Sequence, residues 1–378
     1  WLALGHPDTL TRIDAAFLKT DEFFARAGEY VAAVVLHKAV TVDELKDKYN
    51  TPAKKKVRVL IVPGHEPDYG GTQFAGIWER EMNVELSKYL GEFLKNNGHY
   101  DVMLTRDNEN WSPTFMNYFT THWDDIIAFF KLNKEQNFQN VAGTSGSTPS
   151  KAKVQHNKAK TDVALRLYGI NKWGNENAVD IAIHVHFNDV PRRNQNVAGN
   201  YTGLAVYVPE GDYSNSPTTR AVAETIFKRL AKYNPVSNLP VEDSGIVEEP
   251  DLIAIGAHNT SNAASMLIEY GYIYETQFQD ERVRSRTLRD LAFQTYLGLQ
   301  DFFGSGNDVS FAYDTLMLPH SWDEEMTART ADSDDVLALQ SALLLDGLYP
   351  GNGKTKNDCP RSGRIGPCTL VAIQAFQD

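Results

Sequence analysis

Four side chains in this 378-residue sequence have the types that metal-assisted hydrolysis needs. Such a site takes three protein ligands, one open position for water and a base that receives the water's proton. His65 and Glu81 supply two candidate ligands. The third should be a histidine at another strand end, and His184 and His186 both qualify, because residues two apart on a strand share a face. Glu269 is the candidate base. It stands alone in the apolar run Met266–Tyr270, and a carboxylate is seldom buried there without a partner. Beside a cation it is expected to stay ionised. Each residue has a plainer role when taken singly. His65 is then a loop histidine, Glu81 a helix-start carboxylate favoured by the dipole, His184 a core histidine, and Glu269 an ion-pair partner of Arg106. The occurrence of all four at element ends points to a site.

The elements that must position them are legible as patterns. Val57–Val62 is a nearly continuous β-branched run stopped by Pro63-Gly64, as expected of a strand buried on both faces, with His65 just past its end. A Gly-rich loop (Gly70, Gly71, Gly76) leads into a helix-spaced segment through Val84, Leu86, Leu90 and Leu94. Further strands are expected at 101–105, 179–185, 203–209 and 265–273. Helices are expected around 123–130, 163–167, 221–233 and 284–303. Strands alternating with helices give an α/β fold with a largely parallel sheet, and open sheets of this kind place their sites at strand ends.

Composition narrows the class. The chain is 42% hydrophobic and 23% charged, ordinary for a globular protein. A net charge of −12 argues against nucleic acid as a partner. The apolar run at 31–36 is too short to cross a membrane, so no integral membrane segment is expected. The sequence starts at Trp1 without Met or a signal pattern, as expected of a mature or trimmed chain whose export signal is no longer visible. Its two cysteines, Cys359 and Cys368, form a close pair near the C-terminus. A disulfide in an oxidising compartment is the favoured reading, over two free thiols or a metal clip with too few ligands.

Five motifs in order carry a resemblance: PGHEPDYGG, WEREMNVEL, LTRD, DIAIHVHFN and LIEYGYI. They resemble the zinc-dependent N-acetylmuramoyl-L-alanine amidases of the amidase 3 class over Val57–Phe303. The resemblance implies an amidase 3 type α/β fold, a Zn2+ cofactor and peptidoglycan as substrate. It puts the ligands on His65, on Glu81 (with Glu79 one step out of register) and on His186, and the catalytic carboxylate on Glu269. His184, Arg106 and Asn188 are left to orient ligands or substrate. The sequence departs from the family at Glu66-Pro67-Asp68, at Phe187 and in an insertion over about 108–155. Separately, Asp335–Leu343, Gly363–Thr369 and Ala375–Gln377 resemble a three-helix peptidoglycan-binding domain.

The organisation expected is therefore a helical N-terminal extension (1–56), a zinc amidase domain (57–303), a linker (304–331) and a small wall-binding module (332–378), in an exported protein of the cell wall, periplasm or extracellular space. The expected reaction is hydrolysis of the amide between N-acetylmuramic acid and L-alanine. A zinc peptidase cutting the stem peptide and a non-catalytic wall-binding protein are the rivals.

Overall fold

Chain order and sheet order differ in a way that brings three strand ends together. In a computed structural model, which describes residues 39–53, 55–143, 159–304, 314–322, 325–327 and 329–378, the strands of the main sheet are β1 (Val57–Pro63), β4 (Tyr100–Leu104), β5 (Ile181–Asn188), β6 (Ala205–Pro209), β7 (Ile246–Glu249) and β8 (Ala264–Tyr272). A two-stranded hairpin, β2 (Gln73–Phe74) with β3 (Ile77–Trp78), stands apart. The main order is β4-β1-β5-β8-β6-β7. β4, β1, β5 and β8 are parallel neighbours. β6 runs antiparallel to β8, and β7 parallel to β6. The sheet is thus mixed and largely parallel, with flanking helices. The carboxyl ends of β1, β5 and β8 lie side by side, carrying His65, His186 and Glu269.

The helices are α1 (Val42–Asn50), α2 (Glu79–Asn97), α3 (Pro113–Thr121), α4 (Trp123–Gly143), α5 (Thr161–Glu176), α6 (Ser216–Tyr233), α7 (Glu281–Phe303), α8 (Asp334–Leu345) and α9 (Pro367–Gln377). Their ends follow local chemistry. Thr41 and Glu44 make a reciprocal capping box at α1. Asp280 caps α7 at its start, and Gly304 closes it in the left-handed conformation. Alternate strand residues, among them Val59, Ile61, Ile183, Met266 and Ile268, share one core with Leu86 and Leu90 of α2, Ile226 of α6 and Leu291 of α7. Full burial of each such side chain contributes about 1.5–3 kcal/mol. On the other parity, Ala205, Tyr207 and Leu267 pack with Ala254 and Ile255.

The described part of the insertion is helical. α3 and α4 meet α5 through Phe115–Trp173 and Phe130–Tyr168, each pair with ring centroids 4.8 Å apart. Of the expected N-terminal extension only α1 and its flanks fall among the described residues. Residues 1–39 and 40–378 form two units.

Within the second unit the C-terminal segment packs against the α/β core. Between 332 and 378 the structure has two helices, α8 and α9, where a three-helix module was expected. The intervening stretch holds Pro350, Gly351, Gly353 and Pro360, which favour turns over a helix. Cys359 and Cys368 form a disulfide. The segment read as a linker is anchored where it is described. Asp314 pairs with Arg229 and Lys232 of α6, and Met317 is buried with Val283 and Leu337.

Candidate metal centre

His65 leaves β1 on a backbone that few side chains adopt, with φ 65°. The turn is held by Arg106, whose buried guanidinium donates to the carbonyls of Pro63 (3.1 Å), His65 (2.8 Å), Arg80 (3.1 Å) and Gly64. Arg106, left by the sequence as a ligand- or substrate-orienting residue, is thus a backbone clamp. Burial pulls its pKa down to about 10. Gly64 has to be glycine for a different reason, since a Cβ there would lie 2.4 Å from the His186 ring.

The carboxylate that meets His65 is Glu79, two residues before the one expected. Glu79 Oε1 lies 2.8 Å from His65 Nε2 and 3.1 Å from His186 Nδ1. One ligand atom from each of the three residues lies within 4.8 Å of the others, the only such group of three found among the described residues. Glu81 is exposed and lines a groove with Glu85, Lys88 and Arg284, so the structure does not bring it to the histidines. Helical period is the physical reason. Glu79 is in phase with Asn83, Leu86, Leu90 and Leu94, all buried, whereas Glu81 is in phase with Glu85, Lys88 and Glu92, of which the last two are exposed. Family register pointed to Glu81; the stripe points to Glu79.

Glu79 is prepared for charge. Burial opposes its ionisation, but His65 and His186 outweigh that and hold its carboxyl well below the usual range. Its second oxygen, Oε2, accepts the backbone N–H of Thr72 at 3.0 Å. Burial is also the larger influence on His186, and its pKa is lowered despite the bond to Glu79.

Glu269 is the cross-strand neighbour of His186. Its Oε2 has no hydrogen-bond partner among the described residues. Burial first, then the charges of Glu79 and Glu242, push its pKa well above the usual range. The groups of the chain therefore oppose the ionised form expected from sequence, and a cation at the cluster would act the other way. His184 points to the same sheet face as His186 but is outside the cluster. It is 1% exposed and its Nε2 is unpartnered among the described residues. Burial and then His186 push its pKa down to about 3, so it is neutral. Asn188 donates to Glu242 at 2.9 Å. Glu242, which the sequence reading missed, is 1% exposed and also accepts the hydroxyls of Tyr207 and Ser237 at 2.5 Å.

The donor set of two imidazoles and one carboxylate suits zinc, and leaves a fourth position for water in a catalytic site. The close approach of donors from three different elements, around one carboxylate oxygen, is the fit a divalent cation requires.

Residues 147–301 match the Amidase_3 family, N-acetylmuramoyl-L-alanine amidase, which is less than half of the chain. No curated protein matches. Similar solved structures include an N-acetylmuramoyl-L-alanine amidase from Clostridium difficile 630, at 17% identity and TM-score 0.38, covering 68% of this chain and 99% of that one. The amidase AmiC2 of Nostoc punctiforme is 17% identical with a TM-score of 0.39, covering 66% and 97%. Ami1 of Mycobacterium smegmatis is 12% identical with a TM-score of 0.43, covering 66% and 100%.

Proposed function

We propose that this protein is a zinc-dependent amidase that hydrolyses the bond between N-acetylmuramic acid and L-alanine in peptidoglycan. The observation that carries the reading is the meeting of His65, Glu79 and His186 beside Glu269, whose Oε2 is unpartnered among the described residues. The family match over 147–301, which includes His186 and Glu269, supports the substrate class.

His65, Glu79 and His186 would hold the ion. When bound, it contributes Lewis acidity, acidifying a water molecule and polarising the scissile carbonyl. As the oxygen of the attacking water bonds to the lactyl carbonyl carbon, a proton of that water would pass to Glu269 Oε2. The C–N bond then breaks, and the same oxygen returns the proton to the nitrogen of L-alanine, which departs as an amine. The raised proton affinity of Glu269 suits the second half of this cycle, and a cation held by His65, Glu79 and His186 would favour its ionised form for the first half. Arg106 and Gly64 keep His65 and His186 in register without touching substrate.

In the same reading the C-terminal segment holds the wall polymer and the protein works outside the cytoplasm, with the disulfide in keeping with an oxidising space. No helix among the described residues is long and apolar enough to cross a membrane. Mass spectrometry of peptidoglycan digested with and without a zinc chelator tests the proposal. Free glycan with intact stem peptides, lost on chelation, is the expected result. Cut stems would make it a peptidase, and no products a wall-binding protein.

A further inference from the structure

We infer that Asp189 is a positioning residue for the metal centre, acting on Glu79 through Thr72; this rests on the metal-site reading above. Three residues beyond His186, the Asp189 carboxylate accepts the hydroxyl of Thr72 through Oδ2. Thr72 faces Glu79 on both counts. Its N–H donates to Glu79 Oε2 at 3.0 Å, and its carbonyl accepts the Glu79 N–H at 3.0 Å. Oε1, the oxygen shared between the histidines, is therefore aimed by what holds Oε2.

Asp189 is itself fixed. Arg193 donates to both its oxygens, at 2.6 and 3.1 Å, and the side chains of the pair are 5% and 19% exposed. The Arg193 guanidinium lies over both the Phe74 and Tyr274 rings, 5.1 and 5.2 Å from their centroids, and donates to the Gln73 carbonyl at 2.9 Å. Hairpin β2–β3 thus has one end tied to Glu79 and the same end tied to the loop after β5. A carboxylate ligand so held loses little freedom on binding a cation, and groups of this kind are worth about 10–100-fold in metal affinity.

The test is zinc affinity by chelator competition on the purified chain, with melting temperature on each sample. Asp189→Ala and Thr72→Val should each weaken zinc binding by about 10–100-fold, and the double variant should be no weaker than the weaker single one. Thr72→Ser, which keeps the hydroxyl, should bind like wild type. His65→Ala should abolish tight binding, which checks the metal site separately. Wild-type affinity in Asp189→Ala with loss in His65→Ala overturns the role of Asp189 and leaves the metal centre standing. Weakening in Asp189→Ala but not in Thr72→Val also overturns it, because a loop staple lost for stability alone would not pass through Thr72. Failure of wild type to bind zinc, or binding unaffected by His65→Ala, overturns both readings.

Discussion

At the scale of single residues, Glu269 separates chemistry from binding. Glu269→Gln keeps its shape but cannot accept a proton, so it is expected to retain zinc and lose about 10²–10⁴-fold in rate. Dye release from labelled peptidoglycan, with zinc measured on the same sample, checks this; normal turnover by a loaded variant would remove Glu269 from the reaction. His184 lies outside the ligand cluster. His184→Ala should lower activity while keeping most of the zinc, whereas His186→Ala should lose it, both read by metal content after dialysis. The signals in the sequence differed from residue to residue: His65 follows the stop of an apolar run, His186 shares the parity of His184 near a strand end, and Glu269 is a lone carboxylate inside an apolar strand. Glu79 was missed although the sequence carried its signal. Trp78 is the cap residue of α2, and counting in steps of 3.6 from Leu86 and Leu90 reaches Glu79 on the buried stripe and leaves Glu81 among charges. Thr72, Asp189 and Glu242 had no comparable signal, since their partners are 7, 117 and 54 residues away.

At the scale of elements, the site depends on how β1 ends. Gly64→Ala would drive a methyl group into the His186 ring, so zinc affinity should fall by more than about tenfold, the size of a displaced ligand-orienting contact. Wild-type affinity in that variant would mean the ring has room to move. Arg106→Ala would strip several carbonyls of their donor inside the protein, and hydrogen bonds to a charged group are worth about 1.5–3 kcal/mol each. A loss of at least about 3 kcal/mol in urea unfolding is expected. β1 and β8 were readable because they are long apolar runs buried on both faces. β7 was not, because Ile246–Glu249 is half acidic and borrows its strand state from pairing with β6. The hairpin β2–β3 is two residues a side and too short to leave a period.

At the scale of the whole molecule, the C-terminal segment is joined to the α/β core by buried polar contacts that composition could not reveal. Arg361 donates to Asp290 of α7 (3.2 Å), to Ser341 of α8 (2.8 Å) and to the Tyr233 carbonyl (3.1 Å), and the Arg361 and Asp290 side chains are 5% and 2% exposed. Arg361→Ala leaves the Asp290 charge buried and should cost about 3–5 kcal/mol, seen as a lower melting temperature and faster proteolysis ahead of α8. Unchanged melting would make the contact incidental. Acid should loosen the same junction. Burial opposes the charge on Asp314, yet bonds from Lys232 and Tyr233 keep its pKa below the usual range. Its stabilising contribution is therefore complete above the unfolded value of about 4 and lost as pH falls through the lower folded one. Hydrogen exchange around Asp314 should rise below about pH 4 before the sheet opens. The docking also changes what the segment can do. A tail on a slack tether would let the catalytic centre sample bonds at many distances from its grip, with a local concentration set by tether length. With Arg361 locked between α6, α7 and α8, the segment keeps one separation from the strand ends, so under the function proposed above the molecule would work as a ruler laid along the polymer, cutting at a fixed stride from where it holds.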